Sequence, residues 1–138
     1  MRLGGNQKID LIRRVPLFAR CSKPELKEIA MLADEIDLRA GKELTRQGAL
    51  GREFFVLLEG TADVKKDNRK VNTLGPGDFF GEIALVSREP RTATVIATSP
   101  VRALVITDRS FRRLLDDAPK VQTKVMEAMA QRLAPETL

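Results

Sequence analysis

Residues Phe80 to Ala97 read F-G-E-I-A-L-V-S-R-E-P-R-T-A-T-V-I-A, and this stretch decides how the chain is read. A Gly-Glu pair, Gly81-Glu82, stands ahead of a short apolar run. A Pro-Arg-Thr-Ala-Thr turn follows, and then a β-branched run. Glu82 and Arg91 are nine positions apart, which fits a tight helical turn, a loop and the start of a strand. A loop of that kind can fold back so that both side chains point at one small ligand. A carboxylate accepts hydrogen bonds from a pair of hydroxyls. A guanidinium grips a phosphate through paired, charge-assisted bonds. A ligand that carries both groups close together is a sugar phosphate or a nucleotide.

The residues between the two charges support that reading. If Glu82 to Val86 forms one helical turn, its first amides lack intrahelical partners and point at the ligand. A helix start preceded by glycine is a natural anion site, and Gly81 has no side chain to block a phosphate. Pro90 pushes Glu89 toward an extended conformation and stops the helix. Arg91 is then presented at the mouth of a strand, with the Thr92 hydroxyl beside it. Each charge alone has a plainer reading: Glu82 as a helix-start carboxylate, Arg91 as a surface strand residue. Together, with Gly81 before them and Arg-Thr-Ala in sequence, they favour a ligand.

Working outward, short strands fill the middle of the chain. Gly41, Gly48, Gly51, Gly60, Asp67-Asn68, Gly75-Pro76-Gly77 and Ser99-Pro100 punctuate it at intervals typical of an all-β roll. The clearest strands are Phe54 to Leu58, Thr61 to Lys65, Lys70 to Leu74, Thr92 to Thr98 and Val101 to Thr107. Gly75 to Asp78 forms a tight turn that delivers Phe79 and Phe80, both read as core. On the N-terminal side, an amphipathic stretch from Lys8 to Leu17 is broken by Pro16. Ser22 reads as an N-cap with Pro24 and Glu25 in the first turn, followed by apolar residues at helical spacing. On the C-terminal side, Asp108 is read as the cap of a helix to Asp116 with Phe111, Leu114 and Leu115 on one face. Pro119 opens a last helix striped with Val121, Val125, Ala128, Met129, Arg132 and Leu133.

Composition narrows the chemistry. At 138 residues the chain is one domain, able to bury roughly two-thirds of its unfolded surface. There is no His, which excludes His-based zinc or iron sites, a Ser-His-Asp triad and a Cys-His dyad. No metal is expected, and no nucleophile-base pair suggests an enzyme. The absence of Trp and Tyr removes the commonest stacking platforms for single-stranded nucleic acid. Cys21 is the single cysteine, so no internal disulfide forms, which fits a reducing cytoplasm. No apolar h-region opens the chain and no run approaches membrane-spanning length. The net charge of +5 is spread over 24 Lys and Arg and 19 Asp and Glu, and its default reading is a solvated face.

Phe80 to Ala97 resembles the phosphate-binding cassette of cyclic nucleotide-binding domains. Gly81, Glu82, Ala84, Leu85, Arg91, Thr92 and Ala93 match that family's motif. Gly48 to Gly60, G-A-L-G-R-E-F-F-V-L-L-E-G, resembles its second signature. V-P-L-F with K-P-E-L-K-E-I-A resembles its N-terminal lead-in, and S-F-R-R-L-L-D-D-A-P with M-A-Q-R-L its two C-terminal helices. The resemblance, to a stand-alone bacterial module of the kind in cAMP receptor proteins, kinase regulatory subunits and cyclic nucleotide-gated channels, spans nearly the whole chain.

It implies a mainly β fold with flanking helices. The roll is a double-stranded, jelly-roll-like β-helix over residues 36–107, with its cassette at 80–94. N-terminal helices occupy 1–35, and hinge and lid helices 108–134. It implies that Glu82 holds the ribose 2′-hydroxyl and that Arg91 pairs with the cyclic phosphate. The short-helix amides around Ile83 and Ala84 also reach the phosphate. Thr92, beside Ala93, reaches the phosphate or a syn guanine, and Arg132 caps the base; its plainer reading is a solvated Arg near a helix end. The expected ligand is cAMP, with cGMP as the alternative. The expected output is movement of the C-terminal helices, read by an effector protein or by self-association. A ligand-free scaffold of the same fold is one alternative. The sensor part of a transcription regulator is another; with no room after A-P-E-T-L for a helix-turn-helix, DNA binding is expected to require a partner or a longer parent chain.

The sequence departs from the family at one supporting position. Many relatives carry an acid directly after the glycine matching Gly51, where it braces the phosphate arginine. Here that residue is Arg52, and the acid comes one place later, at Glu53. Successive strand residues face opposite sides of a sheet. The expectation is therefore that Glu53 does not substitute and that Arg91 lacks this partner. The Leu44-Thr45 pair also strays from the apolar pair common before Gly48.

Overall fold

The segment F-F-V-L-L, residues 54–58, has no polar interruption, and the strand that contains it is buried on both faces. In the computed structural model, which describes residues 5–15, 18–81, 90–124 and 126–127, this strand is β3, Glu53–Glu59. Phe54, Val56 and Leu58 point to a core shared with the helices. Phe55 and Leu57 point to a second core between two sheets. One strand thus separates two hydrophobic layers.

Before β3 come the helices α1 (Gly5–Arg14) and α2 (Lys23–Leu32) and the strands β1 (Asp34–Leu38) and β2 (Glu43–Thr45). After it come β4 (Ala62–Lys66), β5 (Arg69–Leu74), β6 (Phe79–Phe80), β7 (Thr94–Ala97) and β8 (Val101–Thr107). Helix α3 (Asp108–Asp117) follows, and residues 119–124 are helical again. Among the described residues the strands form two four-stranded sheets in the orders β1-β8-β3-β6 and β2-β7-β4-β5, with every pairing antiparallel. The architecture is mainly β, a roll of two sheets with flanking helices.

The local signals in the sequence act as read. Ser22 caps α2 through a capping box: Glu25 N donates to Ser22 Oγ at 3.3 Å, and Ser22 N donates to Glu25 Oε1 at 2.7 Å. In the Gly75–Asp78 turn, Asp78 N donates to Gly75 O at 3.1 Å and Gly75 N to Asp78 Oδ2 at 2.7 Å. Phe80 is buried between the sheets, and Phe79 packs against the helix-side core. One cap differs. Thr107, not Asp108, is the N-cap of α3; its extended backbone lets the hydroxyl accept from Ser110 N at 3.4 Å. Asp108 sits in the first turn, where a carboxylate suits the helix dipole. In the C-terminal stripe, Val121 joins the helix-side core. Val125, Ala128, Met129, Arg132 and Leu133 lie outside the described residues.

Candidate functional site

Three pieces of chain converge on Arg91: the 46–52 loop that leads into β3, the end of β6 at Gly81, and the approach to β7. Pairing of β2 with β7 continues past the strands. Gly48 N donates to Arg91 O at 2.9 Å, and Arg91 N donates to Ala49 O at 2.8 Å. This clamp fixes where the Arg91 side chain starts.

The side chain runs inward and the residue is only 6% exposed. A buried cation must be paired and hydrogen-bonded to be tolerated. Nη1 donates to Gly81 O at 3.2 Å, and Nη2 donates to Glu53 O at 2.7 Å and to Glu53 Oε2 at 3.3 Å. The guanidinium carbon lies 5.9 Å from the centroid of the Phe55 ring, within cation–π range. Phe55 in turn stacks on Phe80, with centroids 4.9 Å apart and planes 10° apart. The charge therefore has an aromatic floor and a wall of carbonyls and one carboxylate.

Two glycines make the cradle possible. A Cβ at Gly51 would fall on Nε and Cζ of Arg91. At Gly81 it would lie 2.6 Å from Glu53 O and 2.7 Å from Arg91 Nη1, and the backbone there has φ +93°. The sequence suggested that Gly81 clears the way for a phosphate. In the folded chain its missing side chain first makes room for the arginine itself.

The expectation for Glu53 is overturned. Its carboxylate does brace Arg91, and Arg52 beside it is exposed. The alternation rule was sound but applied from the wrong origin. Glu53 is the first residue of β3 and shares a face with Phe55 and Leu57, the face that looks between the sheets toward Arg91. The departure at Arg52 therefore gives no support to a ligand-free scaffold.

Of the other candidates, Thr92 is exposed next to Arg91. Ala93 is half-buried, and its carbonyl accepts from Thr45 Oγ1 at 3.1 Å. That bond accounts for a polar residue at the Leu44-Thr45 departure. Gly81 and Arg91 to Ala93 are thus brought together. Glu82, Ile83, Ala84 and Arg132 lie outside the described residues. Sequence reading named Glu53 but gave it no role, and assigned none to Gly51 or Phe55 at the site; all three fall within the Gly48–Gly60 signature, which was the available signal.

The rest of the described surface offers no competing chemistry. Among the described residues, no group of three His, Cys, Asp or Glu could hold a metal ion. Burial, and then the nearby Glu25 carboxylate, push the Cys21 thiol above its ordinary range, which disfavours the nucleophilic thiolate. A cleft of about 160 Å³ beside α1, lined by residues including Arg14, Val15, Leu57 and Pro76, contains none of the groups around Arg91. Among the described residues, no helix is long and apolar enough to cross a membrane.

Comparison with known proteins agrees with the geometry. The family model described as "Cyclic nucleotide-binding domain" matches residues 35–118. The chain is 39% identical over 113 residues to a cAMP-dependent protein kinase regulatory subunit of Mycosarcoma maydis, covering 73% of this chain and 21% of that protein. It is 33% identical over 134 residues to cGMP-dependent protein kinase, isozyme 1, of Drosophila melanogaster, covering 91% of this chain and 17% of the kinase. Among solved structures, the regulatory domain of Toxoplasma gondii PKA with cAMP superposes with a TM-score of 0.80 at 26% identity, over 90% of this chain and 49% of that one. The Thermus thermophilus catabolite activator protein shares the fold, with a TM-score of 0.83 at 24% identity over 88% of this chain and 60% of that one. The chain belongs to the family of cyclic nucleotide-binding domains. It spans about a fifth of the length of the curated relatives it matches.

Proposed function

We propose that this domain is a non-catalytic sensor of a cyclic purine nucleotide, with cAMP as its first ligand and cGMP as the alternative. The observation that carries the reading is Arg91, a buried guanidinium on a prepared cradle with Gly81 at its edge. In this reading Arg91 takes the cyclic phosphate, helped by the amides of Ile83 and Ala84. Glu82 holds the ribose hydroxyl. Thr92, exposed beside Ala93, adds a hydroxyl at the rim, and Arg132 covers the base.

Binding is passed on by the helices that follow β8. Phe111 and Leu114 of α3 and Val121 beyond it sit in one core with β3, whose first residue, Glu53, holds Arg91. A ligand that engages Arg91 thus acts on the strand those helices rest on. It shifts them only by its difference in affinity for the two arrangements. An effector protein or a second copy reads the movement, in the reducing cytoplasm that a single cysteine suits.

Magnitudes set the test. Micromolar binding corresponds to about 8 kcal/mol. Truncating one member of a buried charge pair costs roughly 2–5 kcal/mol, so Arg91→Ala removes most useful affinity. A neutral hydrogen bond is worth about 1 kcal/mol, so Thr92 alone gives weak preference between purines. Isothermal titration with cAMP and cGMP, on the protein and on Arg91→Ala, is expected to give micromolar or tighter binding that the substitution abolishes. No heat and no thermal stabilisation with either nucleotide would end the sensor reading.

A further inference from the structure

The hairpin of β4 and β5 carries a charge arrangement that the nucleotide site does not use. Its tip reads K-K-D-N-R-K from Lys65 to Lys70. The register sets Lys65 opposite Lys70 and Lys66 opposite Arg69. Like charges directly across a ladder are destabilising, and here two successive rungs carry them. Lys70 has Asp63 at 3.6 Å to offset its charge. The tip is also held in place. Asp67 and Asn68 have φ of 52° and 64°, the two-residue turn that matches strand twist. Gln47 grips the turn from the neighbouring loop: Asp67 N donates to Gln47 Oε1 at 2.8 Å, and Gln47 Nε2 donates to Asp67 Oδ1 at 2.9 Å. The repulsive rungs are therefore fixed rather than splayed apart.

Among the described residues β5 is one of the two terminal strands of its sheet. Arg69, Lys70 and Val71 are all exposed on it, Val71 at 56%. The far half of that edge is partly closed, because Thr73 N donates to the Asn72 side chain at 2.8 Å. Lysines on an edge ordinarily guard it against another strand. The same lysines welcome a strand of opposite charge. On an added strand two adjacent carboxylates fall on opposite faces, one beside Arg69 and one beside Lys70. The register then steps from Lys70 opposite Lys65 to Asn72 opposite Val64, so Val71 is the extra residue of a bulge, and its exposed side chain is suited by an apolar neighbour at the end of the added segment.

We infer that the Arg69–Val71 edge docks an extended acidic peptide segment of a partner protein, with two adjacent acids flanked by an apolar residue, by strand addition to β5. The carboxylates relieve the repulsion on both rungs. The edge is favoured over a nucleic acid or lipid surface because an exposed apolar residue adjoins the cations on a strand that ends its sheet among the described residues. No exposed aromatic is found among the described residues for base stacking.

The test uses a short labelled peptide with a Val-Glu-Glu-Val core, followed by fluorescence anisotropy. A second peptide carries N-methyl groups on the amides that would pair with β5. Phosphatidylserine vesicles and duplex DNA are assayed alongside. Expected are binding of the first peptide, a loss of about tenfold or more with the N-methylated peptide, and a similar loss in the Arg69→Glu, Lys70→Glu double variant. The melting temperature of that variant checks that it folds: both rungs then pair opposite charges, while the pairing of residue 70 with Asp63 is lost. Arg69→Gln with Lys70→Gln is expected to lose the peptide as well, without reversing the charge. Cyclic nucleotide affinity, measured on the same samples, is expected to stay unchanged, so failure here is separate from failure of the sensor reading. Equal binding of the two peptides, retention of the peptide by both variants, or binding of vesicles or DNA alone would overturn the inference.

Discussion

At the scale of the residue, the site turns on how one buried guanidinium is held. Among the described residues Arg91 is braced by Glu53, which supplies a carbonyl and a carboxylate, by the Gly81 carbonyl at the end of β6 and by the Phe55 ring. Glu53→Gln keeps the main-chain bond to Nη2 and removes the carboxylate charge. The side chain of Glu53 is 46% exposed, so solvent screens the pair. A loss of about 1 kcal/mol, about fivefold in nucleotide affinity, is expected by titration. An unchanged affinity would show that the carbonyls and Phe55 suffice. Arg91 itself was legible from its neighbours in the chain. Glu53 was not, because a one-residue offset changes meaning once the strand's first residue is known, and only pairing with β6 and β8 fixes that origin.

At the scale of the element, α2 gives the most local case. Ser22, Pro24 and Glu25 mark its start, and the capping box forms as read. Hydrogen bonds from Ser22 to the Glu25 carboxylate, backbone first and side chain second, hold it below its ordinary range. A carboxylate with a lower pKa folded than unfolded stabilises the protein above the unfolded value. That contribution fades as pH falls through the folded value. Urea unfolding carried from neutral pH down to about pH 3 is expected to show a shallower loss of stability in Glu25→Gln than in the parent. Parallel curves would remove the capping box from the acid response. Ser22→Ala is expected to cost about 1 kcal/mol at neutral pH in the same assay. Helix α3 was also legible, but its cap moved to Thr107, because that last residue of β8 keeps extended geometry and leaves its hydroxyl over the first turn.

At the scale of the whole molecule, stability and the proposed signalling route share a core. Phe111 of α3 stacks on Phe54 of β3 with ring centroids 4.8 Å apart, and Phe54 meets Phe79 at 5.7 Å. This aromatic series ties the helix after the roll to the strand whose other face supports Arg91. Phe111→Ala is expected to destabilise the domain by about 3–5 kcal/mol in chemical unfolding. That is a large share of the stability of an ordinary domain, about 5–15 kcal/mol. A loss below about 1 kcal/mol would mean that α3 does not rest on β3 in solution.

What the sequence determined by itself is what local chemistry can specify. The turn residues, the period-two and helical spacing and the capping box all act over a few neighbouring positions, so they can be read without the fold. What tertiary structure alone decided is what depends on register between distant segments. The alternation of β3 between two cores is one such feature. The reach of Glu53 across 38 positions to Arg91 is another. The facing of Lys65 with Lys70 and of Lys66 with Arg69 is a third. None of these contacts is encoded at either residue alone, because strand pairing, and not sequence distance, sets which side chains meet.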